Sequence, residues 1–161
     1  MKRKELNGKN LMLWIKTATG AAKVIALSKT CRLVMSATKS DGNTKDDGIW
    51  TSGGIVGISW SASNQSVDSA DQSVGNDMVY DELMKLMIAG EEIQVSFGIP
   101  SNASNNDVPT EGWLRPTSGY WYGPALITNL DRSGDKGAAS SITIDLEGNG
   151  PLKQAQSGSG V

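Results

Sequence analysis

The stretch Asp77–Ile99 (DMVYDELMKLMIAGEEIQVSFGI) constrains this chain more than any other. It reads as one short amphipathic helix, a glycine stop and a strand with clean alternation. Asn76 or Asp77 is placed to cap the helix, because a short side-chain oxygen accepts from the first orphan N–H groups. Asp81 and Glu82 fall in the early turns, where the helix dipole favours negative charge. Val79, Leu83, Leu86 and Met87 follow the spacing of one apolar stripe, with Tyr80 and Met84 at its edge. Gly90 suits a left-handed stop. Beyond it, Ile93, Val95, Phe97 and Ile99 alternate with Glu92, Gln94, Ser96 and Gly98, the period of a strand with one buried face. The expectation is a helix packed on a sheet. Its outer face (Asp81, Glu82, Lys85) is left open between solvent and a subunit contact.

Everything else reads as strands joined by polar loops. Asn10–Lys16 alternates Leu11, Leu13 and Ile15 against Met12, Trp14 and Lys16. Thr19-Gly20 turns it back into Lys23–Ser28, which makes a hairpin. Thr30–Lys39 places Cys31, Leu33, Met35 and Ala37 on one face. Ile55–Ala62 aligns Val56, Ile58 and Trp60. Tyr120–Leu130 and Ser141–Glu147 complete the set, the latter with Ile142, Ile144 and Leu146 on one side. Three long loops separate these runs: Ser40–Gly54 with two Asp-Gly pairs and no periodicity, Ser63–Gly75, and Pro100–Gly119. Loops of that length usually carry function or lack order. The pattern predicts a mainly β chain, a β-sandwich or small barrel of about seven strands with one flanking α-helix. A single domain is expected over residues 1–153, followed by a mobile Gly/Ser-rich tail over 154–161.

The chain offers little chemistry. It has no histidine, which removes Ser-His-Asp hydrolysis, Cys-His proteolysis and histidine-based metal sites. The lone Cys31 shares a strand face with Leu33 and Met35, so a buried, inert thiol is expected. Asp46-Asp47 and Glu91-Glu92 are adjacent pairs whose members point apart on an extended chain, so neither forms an acid/base dyad alone. Asp41–Asp46 resembles a calcium loop only faintly, with Lys45 where an oxygen ligand belongs and Ser52 where a glutamate belongs. No glycine run is followed by the Lys-Ser/Thr and helix of a phosphate loop. No catalysis, cofactor or metal is therefore expected. The 15 basic and 17 acidic residues give a net charge of -2, without the basic footprint of a phosphate-binding protein beyond Lys2-Arg3-Lys4. The apolar run before Lys16 is too short for a signal peptide, and no stretch is long enough to span a bilayer, so folding in the cytoplasm is expected. Trp113, Tyr120, Trp121 and Tyr122 cluster in sequence. Such rings fit a subunit interface or core edge, and they also fit a surface that stacks on sugars.

The order of these segments resembles the major tail (tail tube) proteins of long-tailed bacteriophages. The matching residues are Asn7-Gly8-Lys9-Asn10-Leu11-Met12-Leu13 at the start, the strand pair across Ala26–Ala37, Ser40–Trp50 (SDGNTKDDGIW) and Ile58-Ser59-Trp60-Ser61. They continue with Tyr80-Asp81-Glu82-Leu83 through Ala89-Gly90 and Ile93–Phe97, Tyr122-Gly123-Pro124-Ala125-Leu126-Ile127, and Ile142–Leu152. The resemblance implies a β subunit that assembles with itself into hexameric rings, stacked into a hollow tube for genome delivery. The virion tail is then its location, with assembly in the host bacterial cytoplasm. Tape-measure, tail terminator and baseplate or tip proteins would be its partners, and DNA would pass without sequence-specific binding. The Ser40–Gly54 loop becomes an arm toward the adjacent ring, with Asp41, Asn43, Thr44, Lys45, Asp46, Asp47 and Trp50 as stacking contacts. Asp81, Glu82, Lys85, Trp121 and Tyr122 become subunit contacts, and Asp145 and Glu147 suit a mildly acidic channel wall. The rival readings are a carbohydrate-binding module using Trp113, Trp121 and Tyr122, and a glycosidase using two acids from different strands.

Overall fold

The computed structural model describes residues 7–45, 48–70, 77–103, 109 and 112–156. Its strands are β1 (Met12–Lys16), β2 (Lys23–Ile25), β3 (Ser28–Lys39), β4 (Ile55–Val67), β5 (Asp77–Met78), β6 (Ile93–Gly98), β7 (Trp121–Ser133), β8 (Ser141–Gly148) and β9 (Lys153–Gln154), with helix α1 (Tyr80–Ala89) between β5 and β6. All strands belong to one sheet in the order β3-β4-β8-β7-β6-β1-β2-β5, with β9 beside β7. The fold is mainly β with one helix, as the patterning predicted. The sheet coils upon itself instead of splitting into two layers, and the Cys31 thiol at one edge donates to the Leu11 carbonyl ahead of β1, 3.1 Å away.

Coiling brings the inward faces together as one core. Leu13 and Ile15 of β1, Ile93 and Val95 of β6, Ala125 of β7, Ile144 and Leu146 of β8, and Trp60 and Ala62 of β4 meet there. Helix α1 lays Leu83 into this cluster, with Leu86 against it. Gly90 stops the helix in the left-handed region at φ 65°, and its N–H reaches the Leu86 and Met87 carbonyls. A side chain at that backbone angle would be strained, which is why glycine stands there.

Three expectations are corrected. The helix begins at Tyr80 behind an N-cap Val79 that supplies no side-chain hydrogen bond, since Asp77–Met78 instead pairs in parallel with β2. Strand β6 is covered on both faces: Ser96, on its polar side, and Trp14, directly opposite on β1, are each 1% exposed. The segment before β7 packs against this side of the strand at Gly98, where a Cβ would lie 2.9 Å from Tyr120 and 3.1 Å from Pro116. Finally, the expected loose tail does not hold for its first residues. Gln154 pairs with Trp121, and Ala155 is buried with its N–H on the Tyr120 carbonyl at 2.9 Å. Residues 157–161 lie outside the described residues.

The turn from β2 to β3 holds a backbone outlier. Leu27 takes φ 49° while its carbonyl accepts from the Val67 N–H at 3.1 Å. A leucine in the left-handed region costs on the order of 1 kcal/mol, and asparagine tolerates it better. Leu27 is 59% exposed and loses little packing on replacement. Leu27→Asn is expected to raise stability by about 0.5–1 kcal/mol, read as a rise in the urea midpoint at unchanged slope. An unchanged or lower midpoint would show that the side chain, and not the backbone, governs this turn.

Candidate assembly surface

Strands β3 and β4 are the longest antiparallel pair, in unbroken register from Thr30↔Gln65 to Thr38↔Gly57, with a register shift at each end before Ser28↔Ser66 and Lys39↔Ile55. Only the end of the pair formed by the start of β3 and the end of β4 belongs to the core. Along β4, burial stops at Trp60, and every residue from Ile55 to Ser59 is exposed. Directly opposed residues share a face, so Leu33↔Ala62, Met35↔Trp60 and Ala37↔Ile58 form one row. That row starts inside the core at Ala62 and runs out of it without turning polar. Met35, Ile58 and Val56 are 53%, 66% and 68% exposed. The two strands therefore form an arm whose core-type face has no core behind it.

The arm is rooted by Trp60. Its indole Nε1 donates to the Gly150 carbonyl at 2.9 Å. The ring lies against Gly148 and Gly123, so closely that a Cβ at either would stand 2.3 Å or 2.9 Å from it. Both glycines are needed for this contact.

Beyond Lys39 the expected loop proves to be a continuation of the hairpin. Ser40 N–H donates to the Gly54 carbonyl at 2.7 Å and Gly42 N–H to the Ser52 carbonyl at 3.1 Å. Where the ladder lapses, side chains replace it. Asn43 Oδ1 accepts from Ser52 N–H at 2.7 Å, Asp41 Oδ1 from Asn43 N–H at 3.3 Å, and Ser40 Oγ from Gly54 N–H at 3.1 Å. Such local bonds offer the backbone what a strand partner otherwise would. At the tip, Ile49 and Trp50 are 91% and 79% exposed.

Of the expected stacking residues, Asp41, Asn43, Thr44, Lys45 and Trp50 are all exposed on this arm, and Asp46 and Asp47 lie outside the described residues. Sequence reasoning missed the flanks. Met35, Val56 and Ile58 alternate like any buried strand, and nothing local marks them as uncovered. The helix residues lie elsewhere, away from the arm. Glu82 is occupied within the subunit, its carboxylate 3.1 Å from Lys23 Nζ, whereas Asp81 and Lys85 are exposed. Trp121 and Tyr122 are neighbours on β7 and point to opposite faces, Tyr122 toward Tyr120 with ring centroids 5.8 Å apart. They do not form one stacking platform with Trp113.

The opposite face of β3-β4-β8-β7 is hydroxyl- and amide-rich. The row Arg32–Ser63–Asp145–Asn129 crosses all four strands, and Val34–Ser61–Glu147–Leu126 lies beside it. Asn129 Nδ2 donates to Asp145 at 3.0 Å. Among the described residues no three His, Cys, Asp or Glu side chains gather as a metal site, and no helix is long and apolar enough to cross a membrane. Burial raises the pKa of the Cys31 thiol, which makes it a poorer nucleophile at neutral pH.

Residues 5–154 match the phage tail tube protein family. The chain belongs to that family. Its members are structural subunits of a virion tail, and the fold described above is theirs. Solved structures agree at the level of fold. The subunit in the tail of an empty gene transfer agent particle, refined with C6 symmetry, is 20% identical over 94% of this chain and 99% of that one, with a TM-score of 0.69. The SPP1 tail tube subunit is 16% identical over 95% of this chain and 81% of its own, also at TM-score 0.69. A chain of the anti-feeding prophage baseplate matches 99% of this chain at 8% identity and TM-score 0.60. No curated protein sequence matches.

Proposed function

We propose that this tail tube protein is the repeating unit of a hollow conduit, built from hexameric rings that stack through the β3–β4 arm. The observation that carries the reading is the core-type face of the arm, Met35–Ala37–Ile58–Val56, left in solvent by a single subunit. Contiguous exposed apolar surface of this kind marks a protein–protein contact. The sixfold symmetry of the gene transfer agent tail supports six subunits per ring. The sheet edges support ring closure: among the described residues β3 ends the sheet on one side, and β7 beyond Ala125 has β8 as its strand partner.

The hydroxyl-rich face is the reading's channel wall. Asp131, Asp145 and Glu147 outweigh Arg32 there, and a mildly acidic, polar surface lets a polyanion slide past without counterion-releasing contacts. Genome passage, a tape-measure protein in the lumen, and terminator and baseplate or tip proteins at the ends follow from the same reading, as does assembly in the bacterial cytoplasm before incorporation in the tail. A carbohydrate-binding role loses its platform, since Trp121 and Tyr122 face apart.

The test is negative-stain electron microscopy of the purified protein at high concentration. Rings or hollow tubes with sixfold end views are expected. A strictly monomeric mass by light scattering at all concentrations, with saturable binding on a glycan array, would overturn the reading in favour of the carbohydrate-binding module.

A further inference from the structure

The arm ends in a knob that its own chain does not receive. Ile49 and Trp50 are large apolar side chains left mostly in solvent. Elsewhere on the same subunit lies a groove of about 420 Å³ between the β1–β2 turn and α1. Met78 and Leu86 give it buried and half-buried apolar lining, exposed Ala21 and Ala89 add small apolar surface, and Lys23, Glu82, Lys85 and Glu91 supply its charges.

We propose that this groove receives the Ile49–Trp50 knob of a second copy of the chain. The proposal rests on the tube reading above and names what the arm grips. Its first support is topological. A knob at one place and a pocket at another on the same subunit make a heterologous contact, which runs on as an extended stack when the receiving copy lies in the next ring. The second is the match in shape and chemistry. The groove of about 420 Å³ has room for an indole with a neighbouring isoleucine side chain, and its lining joins apolar side chains to charged ones. The Lys85 ammonium, which enters no ion pair among the described residues, is placed to meet the face of an aromatic ring. The rim carboxylates of Glu82 and Glu91 are acceptors for an indole N–H, the polar handle a docked tryptophan needs. Another cleft, about 520 Å³, mixes Lys16, Glu92 and Lys153 with Tyr122, Pro124 and Pro151 and lies off the helix.

The helix then acquires a role at its outer end. Lys85 and Ala89 lie one turn apart on α1, on the side that faces the groove. The contact is a knob-in-groove anchor, with the Lys23–Glu82 pair holding one wall in place.

Cross-linking of the full-length protein tests this. In a Cys31→Ser background, Ile49→Cys and Ala89→Cys are introduced into one chain, assembly is allowed, and a mild oxidant is added. A ladder of covalent multimers is expected from the double variant, and at most dimers from either single variant. Independently, Trp50→Ala and Ala89→Arg are each expected to raise the critical concentration for tube formation by roughly thirtyfold, with unchanged circular dichroism. Normal tubes from the wild type, no ladder from the double variant, and polymerisation of Ala89→Arg at the wild-type concentration would overturn the contact while leaving the tube reading intact. A wild-type protein that forms neither rings nor tubes would overturn both.

Discussion

Gly148→Ala is expected to lower the thermal midpoint of the subunit by roughly 10 °C, a loss of about 3 kcal/mol. A methyl at this position would stand 2.3 Å from Cε2 and Nε1 of Trp60, an overlap no rotamer of alanine can avoid. The ring must therefore move. Its other side is core, and its N–H is committed to the Gly150 carbonyl, so displacement forfeits packing and a hydrogen bond together. A second variant separates this cause from a general intolerance of β8. Trp60→Leu added to Gly148→Ala removes the clash and is expected to be more stable than the sum of the two single losses, a coupling that a double-mutant cycle measures. Additive losses, or a Gly148→Ala protein that melts like the wild type, would refute the account of Trp60 as the root of the arm.

Ile58→Asp is expected to do the reverse, leaving the subunit folded and stopping assembly. Ile58 is 66% exposed, so the monomer loses little when it goes. If rings stack through the arm as proposed, the same position becomes covered and the new carboxylate would be buried without a partner. That cost, several kcal/mol, corresponds to about two orders of magnitude or more in critical concentration. The readouts are sedimentation of polymer against protein concentration and the melting curve of the monomer. Tubes at wild-type concentration would mean that the arm's apolar face stays in solvent, and a large drop in melting temperature would mean that it is part of the core after all.

Much of the scaffold was legible because it is local. Gly90 ends the helix through its own backbone preference, and the Ile93–Val95–Phe97 alternation names the inward face of β6 whatever lies opposite. What escaped was set by partners far along the chain. Asp77–Met78 reads as a helix start and is instead taken by β2, because a pairing with residues some fifty positions earlier outweighs a local cap. Trp14 and Ser96 read as an outer face and are buried, with Pro116 and Tyr120 returning against Gly98 on the same side of β6. The arm failed in the opposite sense. Periodicity reports which side chains share a face, and it is silent on whether anything lies against that face. Met35 and Ile58 therefore look like core in the sequence and stand in solvent in the subunit. In the tip, Asn43 continues a ladder through a side-chain amide, which no backbone pattern announces. The resemblance points to Trp50, which stands exposed at the tip, whereas nothing in the sequence points to Ile49 beside it or to the groove under α1.

The arm is no appendage tied on by a linker. Its two strands are the same β3 and β4 that pass through the subunit, and β4 is laced to β8 over seven residue pairs, from Ser61↔Glu147 to Val67↔Ser141. Force applied at the tip along the strand direction therefore loads those rungs in parallel, as shear, where many must yield at once. A hinged loop would hand the same force to its hinge one bond at a time. A tube held by such arms would stretch and flex as a continuous textile does, with tension passing from each subunit's sheet to the next. Trp60, seated on Gly148 and Gly123, is the rivet that keeps the arm from peeling off where it leaves the sheet.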